Sequence, residues 1–90
     1  MSDIQHSAGH FFVEREGKRI AELTYRMSGG DAIVEHTFVD DEFRGGTLAR
    51  DLVDAAVEWA RKDGHKVIAM CPYVRKVFDK RPDYADVKKA

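Results

Sequence analysis

Phe43-Arg44-Gly45-Gly46-Thr47-Leu48-Ala49 is the stretch that decides how this chain is read. Before it lies an apolar run, Ala32 to Val39, which reads as a strand. After it lies an amphipathic run, Leu48 to Lys62, which reads as a helix. A glycine-bearing loop that feeds a helix start is suited to holding phosphate. The first amides of a helix have no partner within it, and the helix dipole favours negative charge there. Arg44 adds a fixed cation beside those donors. The segment predicts a phosphorylated ligand.

Working outward, the neighbouring segments give an order. Residues 1–9 are polar and read as a loose arm, which leaves 10–90 as one domain. Phe11 to Arg15 is a strand closed by a turn at Glu16-Gly17. From Arg19 to Met27 the pattern alternates, with Ala21, Leu23, Tyr25 and Met27 on the buried face. Ser28-Gly29-Gly30-Asp31 turns the chain into the third strand. Three strands joined by short turns predict an antiparallel meander. On the helix, Leu48, Leu52, Ala55, Ala56 and Trp59 share one face, with Arg61 and Lys62 in the last turn and Gly64 as the cap. Lys66 to Cys71 holds an unbroken apolar run, Val67 to Met70, and reads as a strand buried on both faces. It follows a crossover helix, so it should pair in parallel. Pro72 opens a second helix that runs to about Lys80. The expected order is β-β-β-α-β-α, an α/β (α+β) domain.

The totals narrow the function classes. Ninety residues make one small domain with a modest core, expected as a monomer or weak homodimer. The formal net charge of −1 gives no basic field, so neither nucleic acid nor a membrane surface is an expected partner. A small nucleic-acid module would also want a basic, aromatic sheet face, which is missing here. No apolar run is long enough to span a bilayer. The one cysteine, Cys71, has no internal disulfide partner, and Met1 to His6 lacks the regions of a signal peptide. Cytoplasm is the expected location. His6, His10 and His65 have no ligand-like spacing with Cys71, so a metal is not expected. There is no Gly-Lys-Ser/Thr of a nucleotide P-loop and no G-x-G-x-x-G of a dinucleotide fold.

The order and two segments together resemble the GNAT superfamily of acyl-coenzyme-A-dependent N-acetyltransferases. Within it, the chain looks like the small single-domain subgroup that lacks the usual N-terminal helices. Val39 to Ala49 resembles the pyrophosphate loop, Arg/Gln-x-x-Gly-x-Gly/Ala, with Arg44 and Ala49 at its ends. Cys71-Pro72-Tyr73-Val74-Arg75-Lys76, with Arg81-Pro82-Asp83-Tyr84 beyond, resembles the cysteine-proline-aromatic segment of the subgroup. The match covers roughly residues 10–87. Thr47 departs from it, standing where the family has glycine. Its Cβ would crowd the pyrophosphate, or its hydroxyl would cap the helix or bond a phosphate oxygen.

The resemblance implies acetyl-coenzyme A as cosubstrate and an amine as acceptor. Gly45, Gly46, Thr47, Leu48 and Ala49 would cradle the pyrophosphate, with Arg44 and Arg50 supplying charge. The strand edge at Thr37, Phe38 and Val39 would hold the pantetheine arm, and an amide near Val39 would polarise the thioester carbonyl. Cys71 and His36 are the candidate catalytic pair. Cys71 reads both as a small core residue and as the cap of the second helix, where a thiol's pKa falls. His36 shares a face with Val34 and Phe38 by simple alternation, and an ordinary imidazole suits proton removal near neutrality. It reads equally as a satisfied groove residue. Glu35 would point the other way. Tyr73 is either packing or a proton donor to the departing thiolate. Lys76, Lys80 and Arg81 read as a solvated face or as contacts to the 3′-phosphate. A different class stays open: a module that binds coenzyme A or a partner protein without catalysing transfer.

Overall fold

Short turns fold the first half of the chain into a meander, as its turn residues predict. The computed structural model describes residues 4–89. Strand β2 (His10–Arg15) turns at Glu16-Gly17 into β3 (Lys18–Ser28), which pairs antiparallel with β2 and with β4 (Asp31–Val39). Gly29 and Gly30 join β3 to β4 with φ of 57° and 89°. Positive φ at both central residues is the hairpin turn whose twist matches the strands, and glycine adopts it without strain. Helix α1 (Leu48–Asp63) then crosses to β5 (Lys66–Ala69), which pairs parallel with β4, and α2 (Pro72–Lys80) follows. Gly64 caps α1 in the left-handed region, its N–H bonding the Ala60 carbonyl.

The expected loose arm is corrected in part. Gln5–Ser7 forms a further strand, β1, paired antiparallel with β2, so the sheet has five strands in the order β1-β2-β3-β4-β5. Three polar residues carry no alternation that a pattern could reveal. They are held through His6, whose ring stacks on Phe11 with centroids 4.0 Å apart and whose Nε2 bonds the Tyr25 hydroxyl. Residues 1–3 of the expected arm lie outside the described residues.

Both helices pack on one face of this sheet. Phe11, Val13, Ala21, Leu23, Tyr25, Ala32 and Val34 meet Leu52, Val53, Ala56, Val57 and Ala60 of α1 and Val74, Val77 and Phe78 of α2 in one core. The buried stripe of α1 is rotated from the expected one. Val53, Val57 and Ala60 are fully buried, while Leu48, Ala55 and Trp59 sit half-buried at its margin. Met27, expected on the buried face, is also exposed. Strand β5 is not buried on both faces: Val67 is buried, Ile68 and Ala69 are half-buried, and Met70 is 54% exposed. An unbroken apolar run does not tell a doubly covered strand from one covered on a single face. Its outer edge is met by the C-terminal residues, where Val67 N–H donates to the Val87 carbonyl and Lys89 N–H to the Val67 carbonyl.

Candidate active site

An extra residue in β4 sets the geometry of the site. Tyr25 pairs with Val34, but Thr24 pairs with His36, so Glu35 is left over as a β-bulge. Strand alternation restarts one residue late. Thr37 now pairs with Leu23, and Val39 with Ala21, two residues buried under the helices. Directly opposite residues share a face, so Thr37 and Val39 face the helices, whereas His36 and Phe38 face away with Thr24 and Glu22. The expected placement of His36 is therefore corrected: it is exposed, on the sheet face opposite Val34.

Strand β5 separates from β4 at the same level. Their pairing ends at Val34 and Ala69. Met70 N–H and Cys71 N–H both donate to the Val34 carbonyl, at 3.0 and 3.2 Å, and the chain then enters α2. Beyond that point no strand among the described residues pairs with the outer edge of β4 over residues 37–39. The result is a cleft between the two parallel strands, floored by an edge of β4 that no strand among the described residues covers.

A cavity of about 360 Å³ opens there. Thr37 and Val39 line it from β4, and Tyr73 from α2. Phe43, Arg44, Gly45, Gly46, Leu48 and Ala49 close its other end. The amides of Leu48, Ala49 and Arg50 precede the first intrahelical bond, from Asp51 N–H to the Thr47 carbonyl at 2.8 Å, and so are spare donors at the helix start. Gly45 has φ of 89°, and this lets the loop turn back over the helix end. Arg44 lies across the loop, its Nε donating to the Val39 carbonyl at 3.3 Å and standing 3.2 Å from Asp41. Thr47 has φ of −106°, so nothing in the backbone requires glycine there. Its hydroxyl makes no cap bond; it donates to Asp51 Oδ2 at 3.0 Å instead.

Cys71 is the cap residue of α2, 7% exposed, with Pro72 in the first turn behind it. Its sulfur lies 3.5 Å from Thr37 Oγ1. Burial pushes the thiol up, but the Thr37 hydroxyl and the amides of Val74, Tyr73 and Thr37 more than offset it, so the thiol sits below its usual range. The Tyr73 phenol is pushed up by burial, against the pull of Arg50.

Most of the predicted cradle thus meets at one cavity. Phe43 joins it although its residue type gave no signal beyond being apolar. Phe38 is 41% exposed and on the other face, and Thr47 faces Asp51. Arg50 lines a neighbouring cavity of about 290 Å³ with Lys76, Lys80 and Arg81, sharing Tyr73 as the common wall.

A meander, a helix entered through a glycine loop, and a parallel strand splayed from β4 define the acetyltransferase class of α+β fold. The chain belongs to the GCN5-related N-acetyl-transferase family, whose model matches residues 10–87. A GCN5-like protein from Staphylococcus aureus is 32% identical with a TM-score of 0.80, covering 100% of this chain and 92% of its own. The ribosomal-protein-S18-alanine N-acetyltransferase from Escherichia coli shares the fold at 19% identity and TM-score 0.58, over 70% of this chain and 43% of its own. The aminoglycoside N-acetyltransferase AAC(6′)-Iy, solved in complex with CoA, shares it at 18% identity and TM-score 0.61, over 83% and 67%. No curated protein matches the sequence. Among the described residues, no helix is long and apolar enough to cross a membrane.

Proposed function

We propose that this N-acetyltransferase takes its acetyl group from acetyl-coenzyme A and passes it to an amine by way of Cys71. The observation that carries the reading is the continuity of one cavity. It joins the spare donors of the α1 start to the edge of β4 at Thr37 and to Tyr73. Cys71 does not itself line the cavity, but its sulfur lies 3.5 Å behind the Thr37 hydroxyl, and Thr37 does line it.

The pyrophosphate would lie against the amides of residues 45–50, with Arg44 alongside, and the pantetheine arm would pair with the edge at Thr37–Val39. The Cys71 thiolate would attack the thioester carbonyl. A carbon–sulfur bond to Cys71 forms, the bond to coenzyme A breaks, and the free thiolate leaves. An amine then attacks the acetyl-cysteine. The amide forms, Cys71 is released as thiolate, and the amine proton goes to a base. Water would serve as that base, because His36 is exposed on the sheet face opposite Thr37 and the Cys71 sulfur. Tyr73 lines the cavity as a protonated phenol and would be the acid for the leaving thiolate.

The test is intact mass and thermal stability with acetyl-coenzyme A, for the native chain and for Cys71→Ala. The expected result is a thermal shift in both and an acetyl adduct in the native chain alone. No shift refutes cofactor binding. A shift without adduct, and without thiol release across a panel of amines, supports the non-catalytic coenzyme A module instead.

A further inference from the structure

We infer that Thr37 is the positioning residue for Cys71, its hydroxyl holding the sulfur in place for acyl transfer. This rests on the reading of Cys71 as the acetyl acceptor.

The geometry follows from the bulge at Glu35. Unbroken alternation would put His36 opposite the start of α2; the extra residue puts Thr37 there instead. The position is half-buried, pairs with Leu23, and asks only for a β-branched side chain, which valine would supply equally well. What threonine adds is a hydroxyl, and that hydroxyl lies 3.5 Å from Sγ. It can accept from the thiol or donate to the thiolate, so it remains satisfied as the sulfur ionises. The amides of Thr37, Tyr73 and Val74 supply the remaining donors. The charges around the sulfur are few. The titratable group facing it is the Tyr73 phenol on its own helix; β4 brings only the Thr37 hydroxyl and amide, and β5 arrives as backbone. Among the described residues the leading influences that favour the thiolate are hydrogen bonds, and Thr37 supplies the one that a side chain controls.

The chain has one cysteine, so its thiolate ultraviolet absorbance reports Cys71 alone during a pH titration. Native protein and Thr37→Ser should titrate together, below the roughly 8.5 of a free cysteine. Thr37→Val should titrate about one pH unit higher, a tenfold loss of thiolate below the transition, as one charge-assisted bond is worth. Thr37→Ala gives the same comparison should the valine variant fold poorly. Coincident titrations of native, valine and alanine proteins would overturn the inference, as would a rise in Thr37→Ser equal to that in Thr37→Val. The two readings separate cleanly. A shifted titration with no acetyl adduct on Cys71 supports Thr37 and refutes covalent transfer, whereas an adduct with no shift does the reverse.

Discussion

Adding one methyl group at Gly45 or at Gly46 tests whether the loop is built by backbone conformation or by close packing. Gly45 has φ of 89°, and a Cβ there would meet nothing within 4 Å. The whole cost of Gly45→Ala is therefore conformational, about 1–2 kcal/mol for an L-residue held left-handed. The stiffer unfolded chain returns about 0.4–1 kcal/mol. The net loss is about 1 kcal/mol, which for a domain of this size lowers Tm by about 4–8 °C. Gly46 is not left-handed, and its Cβ would sit 3.7 Å from the Phe43 carbonyl, an ordinary contact. Gly46→Ala should leave stability unchanged or raise it by up to about 1 kcal/mol. Urea unfolding of the two variants, with slopes compared to establish two-state behaviour, makes the measurement. Equal destabilisation by both would refute the reasoning, because it would mean that space rather than φ constrains the loop. Because Gly46 lines the cavity, its variant should also lose part of the thermal shift given by coenzyme A while remaining folded.

Restoring the family's glycine with Thr47→Gly should leave the coenzyme A thermal shift unchanged, since the threonine faces Asp51; a larger shift would show that its Cβ obstructs the ligand. Leu52→Ala, at a fully buried core position, should cost about 2.5–5 kcal/mol and leave a domain of this size barely folded at 37 °C, as seen by calorimetry. His6 is held below its ordinary pKa of 6.5, first by burial, with Asp63 opposing and His10 assisting. The unfolded chain then binds the proton more readily. The stability owed to neutral His6 is therefore present above pH 6.5 and is lost as pH falls through the lower folded value. His6→Phe should flatten the fall in Tm on that side of pH 6.5, and an unchanged pH dependence would refute the role given to the β1 clasp.

Much of the fold lay in the sequence because local chemistry marks it. Turn residues at 16–17 and 29–30, the alternation through β3, the proline at 72 and the glycine at 64 each carry their meaning within a few residues. The loop at 43–49 stood out for the same reason: the phosphate site proposed there would be assembled from adjacent amides at a helix start. The small strand β1 was not, since its support comes from Phe11 and Tyr25 on other strands. The rotation of the α1 stripe was also hidden, because Val53, Val57 and Ala60 are buried by the sheet and α2 together.

By itself, the sequence determined the order of elements from β2 to α2, a glycine loop that feeds the first helix, and a cysteine at the start of the second. Only the tertiary structure decided which neighbour that cysteine has. Register between β3 and β4 is a property of two strands, and the one extra residue at Glu35 leaves no mark in the alternation of either. It turns His36 out to solvent and brings Thr37 to the sulfur, because a shift of one residue along a strand exchanges its two faces.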